Sequence, residues 1–253
     1  MDRRTIEPVR SVGAAKGRLL MIKTDVMALL EANRNEAGIQ RWEAKGSTPG
    51  KLKSFGIGLT ALRTLAKQIG RDHGLALKLW ESEVYDAKII AILIDDPKQI
   101  TREQAEAQVE HLDQGNLEHV FCSCGAPLAK TPFVVELAGD WVKSQDVCRR
   151  SCGYGLLYEL SKSKAKSAPD EAFFLRHLEH IQTTYDDEPR PVQISIGGAL
   201  LGLGKRTANL NAAALKIARR IGPIELETES GTCEPFDVVK HLTSDYIRTK
   251  LGV

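Results

Sequence analysis

The sequence predicts an all-α fold in which short amphipathic helices stack into a solenoid, and three observations carry that prediction. Apolar residues recur at the three- and four-residue steps of one helix face along most of the chain. Each periodic stretch is brief, about 10 to 14 residues, before Gly, Pro or Asp stops it. Nothing alternates convincingly enough to read as a sheet. Helices this short cannot bury their apolar faces alone and must stack on neighbours, which is the logic of a helical-repeat array.

The first periodic segment covers residues 19–32. The most informative stretch is 54–97, SFGIGLTALRTLAKQIGRDHGLALKLWESEVYDAKIIAILIDDP, which reads as three helices with almost no loop between them. Leu62, Leu65, Ala66 and Ile69 share one face; Leu75, Leu79 and Trp80 follow after Gly70-Arg71-Asp72; Ala87, Ile90, Ala91 and Ile94 form the third set. Asp72 reads as an N-cap and Pro97 as a breaker. Further helices are expected over 101–112, 132–143, 147–160, 170–182, 191–203 and 210–221, joined by short turns. Residues 46–50 and the SKSKAKSA stretch at 161–168 read as looser loops. The whole chain, 1–253, is expected to form one repeat domain, with an acidic loop and a C-terminal helix over 223–253 packing on the array.

At 253 residues, 42% hydrophobic and 27% charged, the chain is long enough for a substantial core. No run approaches the roughly 20 apolar residues of a membrane helix. The N-terminal MDRRTIEPVR has no apolar leader core, so a cytoplasmic setting away from membranes is expected. Net charge is only +2, but it is unevenly spread. Residues 1–60 carry eleven Lys and Arg against six acids, and 200–222 contain Lys205, Arg206, Lys216, Arg219 and Arg220 with no acid. Residues 223–237 invert this, with Glu225, Glu227, Glu229, Glu234 and Asp237 and no base. Such blocks suggest a one-sided phosphate-binding face, although solvated helix faces carry charge blocks too.

The five cysteines, Cys122, Cys124, Cys148, Cys152 and Cys233, are an odd number unlike a secreted disulfide framework, so reduced thiols are expected. Neither Cys122-x-Cys124 nor Cys148-x-x-x-Cys152 matches the usual spacing of a structural zinc site, so no metal and no other cofactor is expected. Trp80 and Trp141 read as core residues, and Trp42, beside a loop in QRWEAKG, as the exposed candidate. Gly197, Gly198, Gly202 and Gly204 follow no strand, so they do not form a phosphate loop; close helix packing is the simpler reading.

The 54–97 stretch resembles the N-terminal half of the DNA alkylation repair family, the AlkD-like glycosylases built from HEAT-like repeats. The resemblance joins a Phe-Gly-(small or β-branched) opening, Leu-Arg-x-Leu-Ala-Lys, Leu-Ala-x-x-Leu-Trp and an Ala-(Arg/Lys)-aliphatic helix ending in Asp-Pro. It continues through KTPF at 130–133, the Arg pair in DVCRRSCGYGLLYEL and GKRTANLNAAAL, covering roughly residues 17–222. It implies a right-handed α-α superhelix and association with duplex DNA, damaged or branched forms included, by a monomer.

Excision of an N3- or N7-alkylated purine releases a base that is already a cationic leaving group. The chemistry therefore needs chiefly a carboxylate beside the developing sugar cation and aromatic rings near the lesion. Catalytic family members place these in a Trp-Asp-x-x-Asp segment before the KTP-like turn, with a further Trp ahead of Gly-Lys-Arg. Counting back from Lys130-Thr131-Pro132, this chain has Leu117 at the first Trp, Phe121 at the essential Asp and Gly198 at the late Trp. Glu118, at the less critical Asp, and His119 are the substitute acid and base; a surface Glu and a solvated His are the plainer readings.

For DNA contact the candidates are Arg149, Arg150, Lys205, Arg206, Arg63 and Lys67. The resemblance implies a backbone-phosphate contact for Arg150, whose donor fork suits two phosphate oxygens. The competing reading is a surface ion pair with Asp146, four residues earlier. Lys205 and Arg206 follow a helix end where cations are also favoured by the dipole. Arg63 and Lys67 share a helix face, as exposed repeat helices commonly allow. The preferred function is a noncatalytic DNA-binding member of the family; the alternatives are an active alkylpurine glycosylase whose carboxylate is Glu118 or another acid, and a scaffold for a protein partner.

Overall fold

In the computed structural model the described residues are 21–44, 50–226 and 234–253. Residues 19 and 20 of the first expected helix, most of the 46–50 loop, the basic residues before 21, Lys45, Glu227, Glu229 and Cys233 lie outside them.

The described chain is helical from end to end. The helices are α1 (Lys23–Ala32), α2 (Glu36–Ala44), α3 (Leu59–Ile69), α4 (His73–Trp80), α5 (Tyr85–Ile94), α6 (Arg102–Val109) and α7 (Leu117–Cys122). After a short 3-10 turn at Pro127–Lys130 come α8 (Val134–Trp141), α9 (Val147–Lys162), α10 (Glu171–Thr184), α11 (Arg190–Gly204), α12 (Ala208–Ile221), α13 (Val238–Leu242) and α14 (Asp245–Leu251). Two isolated bridges, Lys53 with Val84 and Ile224 with Phe236, are the only extended pairings among the described residues.

Caps set many of the boundaries. Asp72, Thr101, Asp146, Asp170, Thr207 and Asp237 each accept a backbone N–H three residues on, satisfying a donor that the first turn leaves unpaired. The expected helices at 101–112, 132–143 and 210–221 all form, with ends shifted by a few residues. Sequence periodicity missed α2 and α7: α2 buries only Gly38, and α7 has six residues, too short for a period to repeat. The C-terminal helix expected within 223–253 is two short ones, α13 and α14, broken at Thr243 and Ser244.

Contacts run α5 to α7, α7 to α9 and α9 to α11, so these four helices form one layer. Against it lie α3 and α4 on α5, α8 on α9, and α12 on α11, with α10 on α12 and α13 on both α11 and α12. Position in the layer explains composition: α5 is buried nearly all round, from Tyr85 through Ile94, because helices cover it on several sides. Trp141 is buried as expected, its indole N–H donating to Glu106 at 3.0 Å. Trp80 is only half-buried, with the Lys88 ammonium 4.2 Å from its ring centre. Trp42 departs from the exposed expectation. Its ring packs 4.5 Å from that of Tyr85 and its N–H donates to the Leu52 carbonyl at 2.8 Å.

The Ser54-Phe55-Gly56 segment owes its conformation to a buried carboxylate. Asp86, wholly buried on α5, accepts from the Ser54 hydroxyl and the Phe55 N–H, each at 2.8 Å, and from the Ile57 N–H at 3.1 Å. Gly56 has φ +69° and its carbonyl runs against Gly38 of α2, where a Cβ would stand 2.0 Å from that oxygen.

Candidate functional site

The site lies where α7, α9 and α11 come together. Their approach is set by small residues: a Cβ on Gly155 of α9 would stand 2.5 Å from the Cys122 sulfur of α7, and one on Gly202 of α11 would stand 2.6 Å from the Tyr158 ring of α9. The three helices leave a cavity of about 460 Å³ lined by Glu118, His119, Cys124, Tyr158, Ser195 and Gly198, among others. Gly198 meets nothing within 4 Å of where a Cβ would be, so it opens the cavity, while Gly197 and Gly204 pack tightly on Phe236, Ile224 and Leu242.

Helix α7 divides its residues sharply. Leu117 and Phe121, four apart, face the core, where the Phe121 ring stacks 6.3 Å from that of Trp141. Glu118 and His119 face the cavity instead. Burial raises the Glu118 carboxyl above its usual range, against a smaller opposing pull from the Ser151 hydroxyl. The exposed His119 has its Nε2 2.9 Å from the Cys124 sulfur; partial desolvation and then the charge of Arg63 lower its pKa, and Glu159 works the other way.

The same face of α9 and α11 continues into a second cavity of about 500 Å³. From Gly155 to Lys162 and from Gly198 to Lys205 is seven residues each, about 10 Å along the helix. Lys162, Lys164, Lys205, Arg206 and Lys250 line this cavity, and no carboxylate does. Arg206 is held firmly, donating to the Ser161 and Ser163 carbonyls at 2.8 Å each, with its guanidinium 5.0 Å from the centre of the Phe174 ring. Lys250 donates to the Lys205 carbonyl at 2.8 Å. Lys162 is shared with Glu159 at 2.6 Å and lies over the Tyr158 ring. Burial, and then the nearby Lys250 charge, lower the Lys205 ammonium pKa.

Lys205 and Arg206 therefore come together, joined by Lys162 at the end of α9, Lys164 just beyond it and Lys250 of α14. Arg149 and Arg150 do not join them. Both sit at the opposite end of α9, turned from the Gly155–Tyr158–Lys162 face by roughly 150° and 110° at about 100° per residue. Arg149 pairs with Glu106 at 3.1 Å and Glu110 at 2.5 Å. Arg150 pairs with Glu188 at 2.8 Å and donates to the Ser144 and Gln145 carbonyls. Asp146, the acid expected beside Arg150, caps the helix at the Arg149 N–H instead. Arg63 and Lys67 line a third cavity, about 310 Å³, with Arg71 and Cys124. Cys124 thus borders both that cavity and the one holding Glu118. Among the described residues no group of three or more His, Cys, Asp and Glu is placed to hold a metal ion, and no helix is long and apolar enough to cross a membrane.

Comparison with known proteins bears directly on this arrangement. The family model described as DNA alkylation repair enzyme matches residues 26–224. The chain belongs to the DNA alkylation repair enzyme family. The match runs from within α1 past α12, so it takes in the helices around the three cavities except α14, which brings Lys250 to the second one. Similar proteins include the uncharacterized protein Lmo0209 of Listeria monocytogenes, 22% identical over 87% of this chain and 96% of its own length. The uncharacterized protein Lin0241 of Listeria innocua is 21% identical over 84% and 92%. A solved structure matches with a TM-score of 0.75 at 22% identity, covering 92% of this chain and 97% of its own. It is described as a new family of proteins related to the HEAT-like repeat DNA glycosylases with affinity for branched DNA structures. At that identity it establishes the fold, an all-α array of HEAT-like repeats.

Proposed function

We propose that this member of the DNA alkylation repair family binds DNA through its phosphates and does so without base-excision chemistry. The observation that carries the reading is the cavity lined by Lys162, Lys164, Lys205, Arg206 and Lys250 with no carboxylate among its walls. Glu159 neutralises Lys162, but crowding the other four cations is unfavourable unless a further anion neutralises them, and a nucleic-acid backbone supplies anions at regular spacing. The fixed guanidinium of Arg206 offers a preset contact, and the Lys164 and Lys205 ammonium groups, which meet no partner among the described residues, supply free ones. Arg149 and Arg150 enter as positioning residues that hold the start of α9 against Glu106, Glu110 and Glu188.

Glycosylase chemistry fits less well. The cavity-facing acid is Glu118, and burial raises its pKa, which works against the ionised form that stabilising a developing sugar cation needs. Phe121, at the position expected for the essential Asp, is packed into the core. Gly198 leaves open the space where an aromatic ring was expected, so a wider or bent substrate fits there. The branched-DNA affinity described for the structural neighbour makes junctions the first substrates to try.

The test is a titration of labelled duplex, nicked and four-way-junction DNA with the protein at several salt concentrations, alongside incubation with methylated duplex. Salt-sensitive binding with no release of 3-methyladenine or 7-methylguanine is expected. Release that Glu118→Gln abolishes establishes the glycosylase instead, and no binding to any DNA at low salt establishes a protein-partner scaffold.

A further inference from the structure

We propose that Cys124 and His119 form a nucleophile–base pair that accepts an alkyl group from an alkylated phosphate, a phosphotriester, lodged against Arg63. The pair is explicit in the geometry, Sγ lying 2.9 Å from the imidazole Nε2 with the thiol exposed where two cavities meet. A thiol within hydrogen-bond reach of an imidazole is the arrangement that thiol nucleophiles require. The neutral ring is the form that takes a proton, and burial and then Arg63, against Glu159, shift His119 toward it.

A second, independent observation indicates what the thiol would meet. Nε and Nη2 of Arg63 are buried and have no hydrogen-bond partner. Unpaired buried donors on a guanidinium are costly, and Arg63 lines the same cavity as Cys124, together with Lys67 and Arg71. Arg71 is committed to the Asp95 carbonyl, whereas Arg63 and Lys67 have no hydrogen-bond partner among the described residues. Cations facing a neutral triester gain little in the ground state. They gain much as the phosphodiester anion develops, which is stabilisation confined to the transition state.

The step balances without an added reagent. The Cys124 sulfur attacks the alkyl carbon, forming the S–C bond as the C–O bond to phosphorus breaks. The electron pair leaves on the phosphate oxygen beside Arg63, and the thiol proton passes to His119 Nε2. The product is a thioether, so each molecule reacts once. Delivery of a DNA triester rests on the DNA-binding reading above; the chemistry itself does not.

Two probes separate those claims: a duplex carrying a single methylphosphotriester, with its binding measured in the same sample, and trimethyl phosphate, which needs no DNA contact. Peptide mass spectrometry is expected to find a methyl group on Cys124 with both, at one equivalent. Cys124→Ser abolishes it, and His119→Gln slows it about a hundredfold and shifts the pH profile of iodoacetamide labelling at Cys124 toward that of a free thiol. Arg63→Met slows transfer from the triesters while leaving stability equal or higher, because no partner of the guanidinium is lost. Methylation by trimethyl phosphate with no DNA binding upholds the thiol site and overturns the DNA reading. An unmethylated Cys124 with both probes, or transfer indifferent to His119→Gln and Arg63→Met, overturns the proposal.

Discussion

Asp86 accepts the backbone N–H of Phe55 at 2.8 Å from a position with no exposure to solvent. The Phe-Gly turn that marks the start of the 54–97 stretch is therefore tied from inside the core, and its role is architectural. Asp86→Ala leaves the Ser54 hydroxyl and the Phe55 and Ile57 N–H groups without their acceptor, which costs about 3 kcal/mol. Thermal denaturation is expected to show a fall in Tm of about 10 °C.

The glycines around the α9–α11 seam differ in what surrounds them. Gly155→Ala drives a methyl group to within 2.5 Å of the Cys122 sulfur and destabilises by about 1–3 kcal/mol. Gly198→Ala meets only open space and, lying inside a helix, is expected to be neutral or slightly stabilising. Urea denaturation of the two variants checks the contrast.

Burial, then the charges of His180, Lys143 and Arg176, lower the His177 pKa to about 4. An unfolded histidine titrates near 6.5, so the unfolded state binds the extra proton between those values and the folded state does not. The contribution of His177 is complete above about pH 6.5 and is lost as pH falls toward 4, by up to about 3 kcal/mol. Stability measured from pH 7 to pH 4 should fall less steeply in His177→Phe than in the unsubstituted protein.

Arg150 and Glu188 form a pair in which both side chains are mostly buried, 16% and 8% exposed. Removing one partner strands the other, so Glu188→Ala and Arg150→Ala are each expected to cost about 3 kcal/mol. If Arg150 acts by positioning, Arg150→Ala leaves the salt slope of DNA binding unchanged. A slope reduced by about 0.9 would instead identify a direct phosphate contact.

The fold was largely legible because its helices advertise themselves through apolar periodicity and Asp or Thr caps, as at Asp72 and Asp170. It failed where periodicity has no length to act, in α7, and where a helix buries almost nothing, in α2. The site was legible in part. Glu118 does face a cavity, and Lys205 and Arg206 do stand in a basic cluster. Lys162, Lys164 and Lys250 escaped notice because their convergence is tertiary: the end of α9 and the C-terminal α14 are about ninety residues apart in sequence and meet only in the folded array. The ion pairs of Arg149 and Arg150 were hidden for the same reason, since their acidic partners Glu106 and Glu188 lie some forty residues away on either side.

The most direct test of the central claim is fluorescence anisotropy of a labelled four-way junction, titrated across salt concentrations with the unsubstituted protein and with Lys164→Ala/Lys205→Ala. Neither ammonium group holds a partner among the described residues, so the fold is expected to be untouched. The account predicts affinity lower by about tenfold or more and a salt slope shallower by about 1.8, two phosphate contacts' worth. Unchanged affinity and unchanged slope would contradict it.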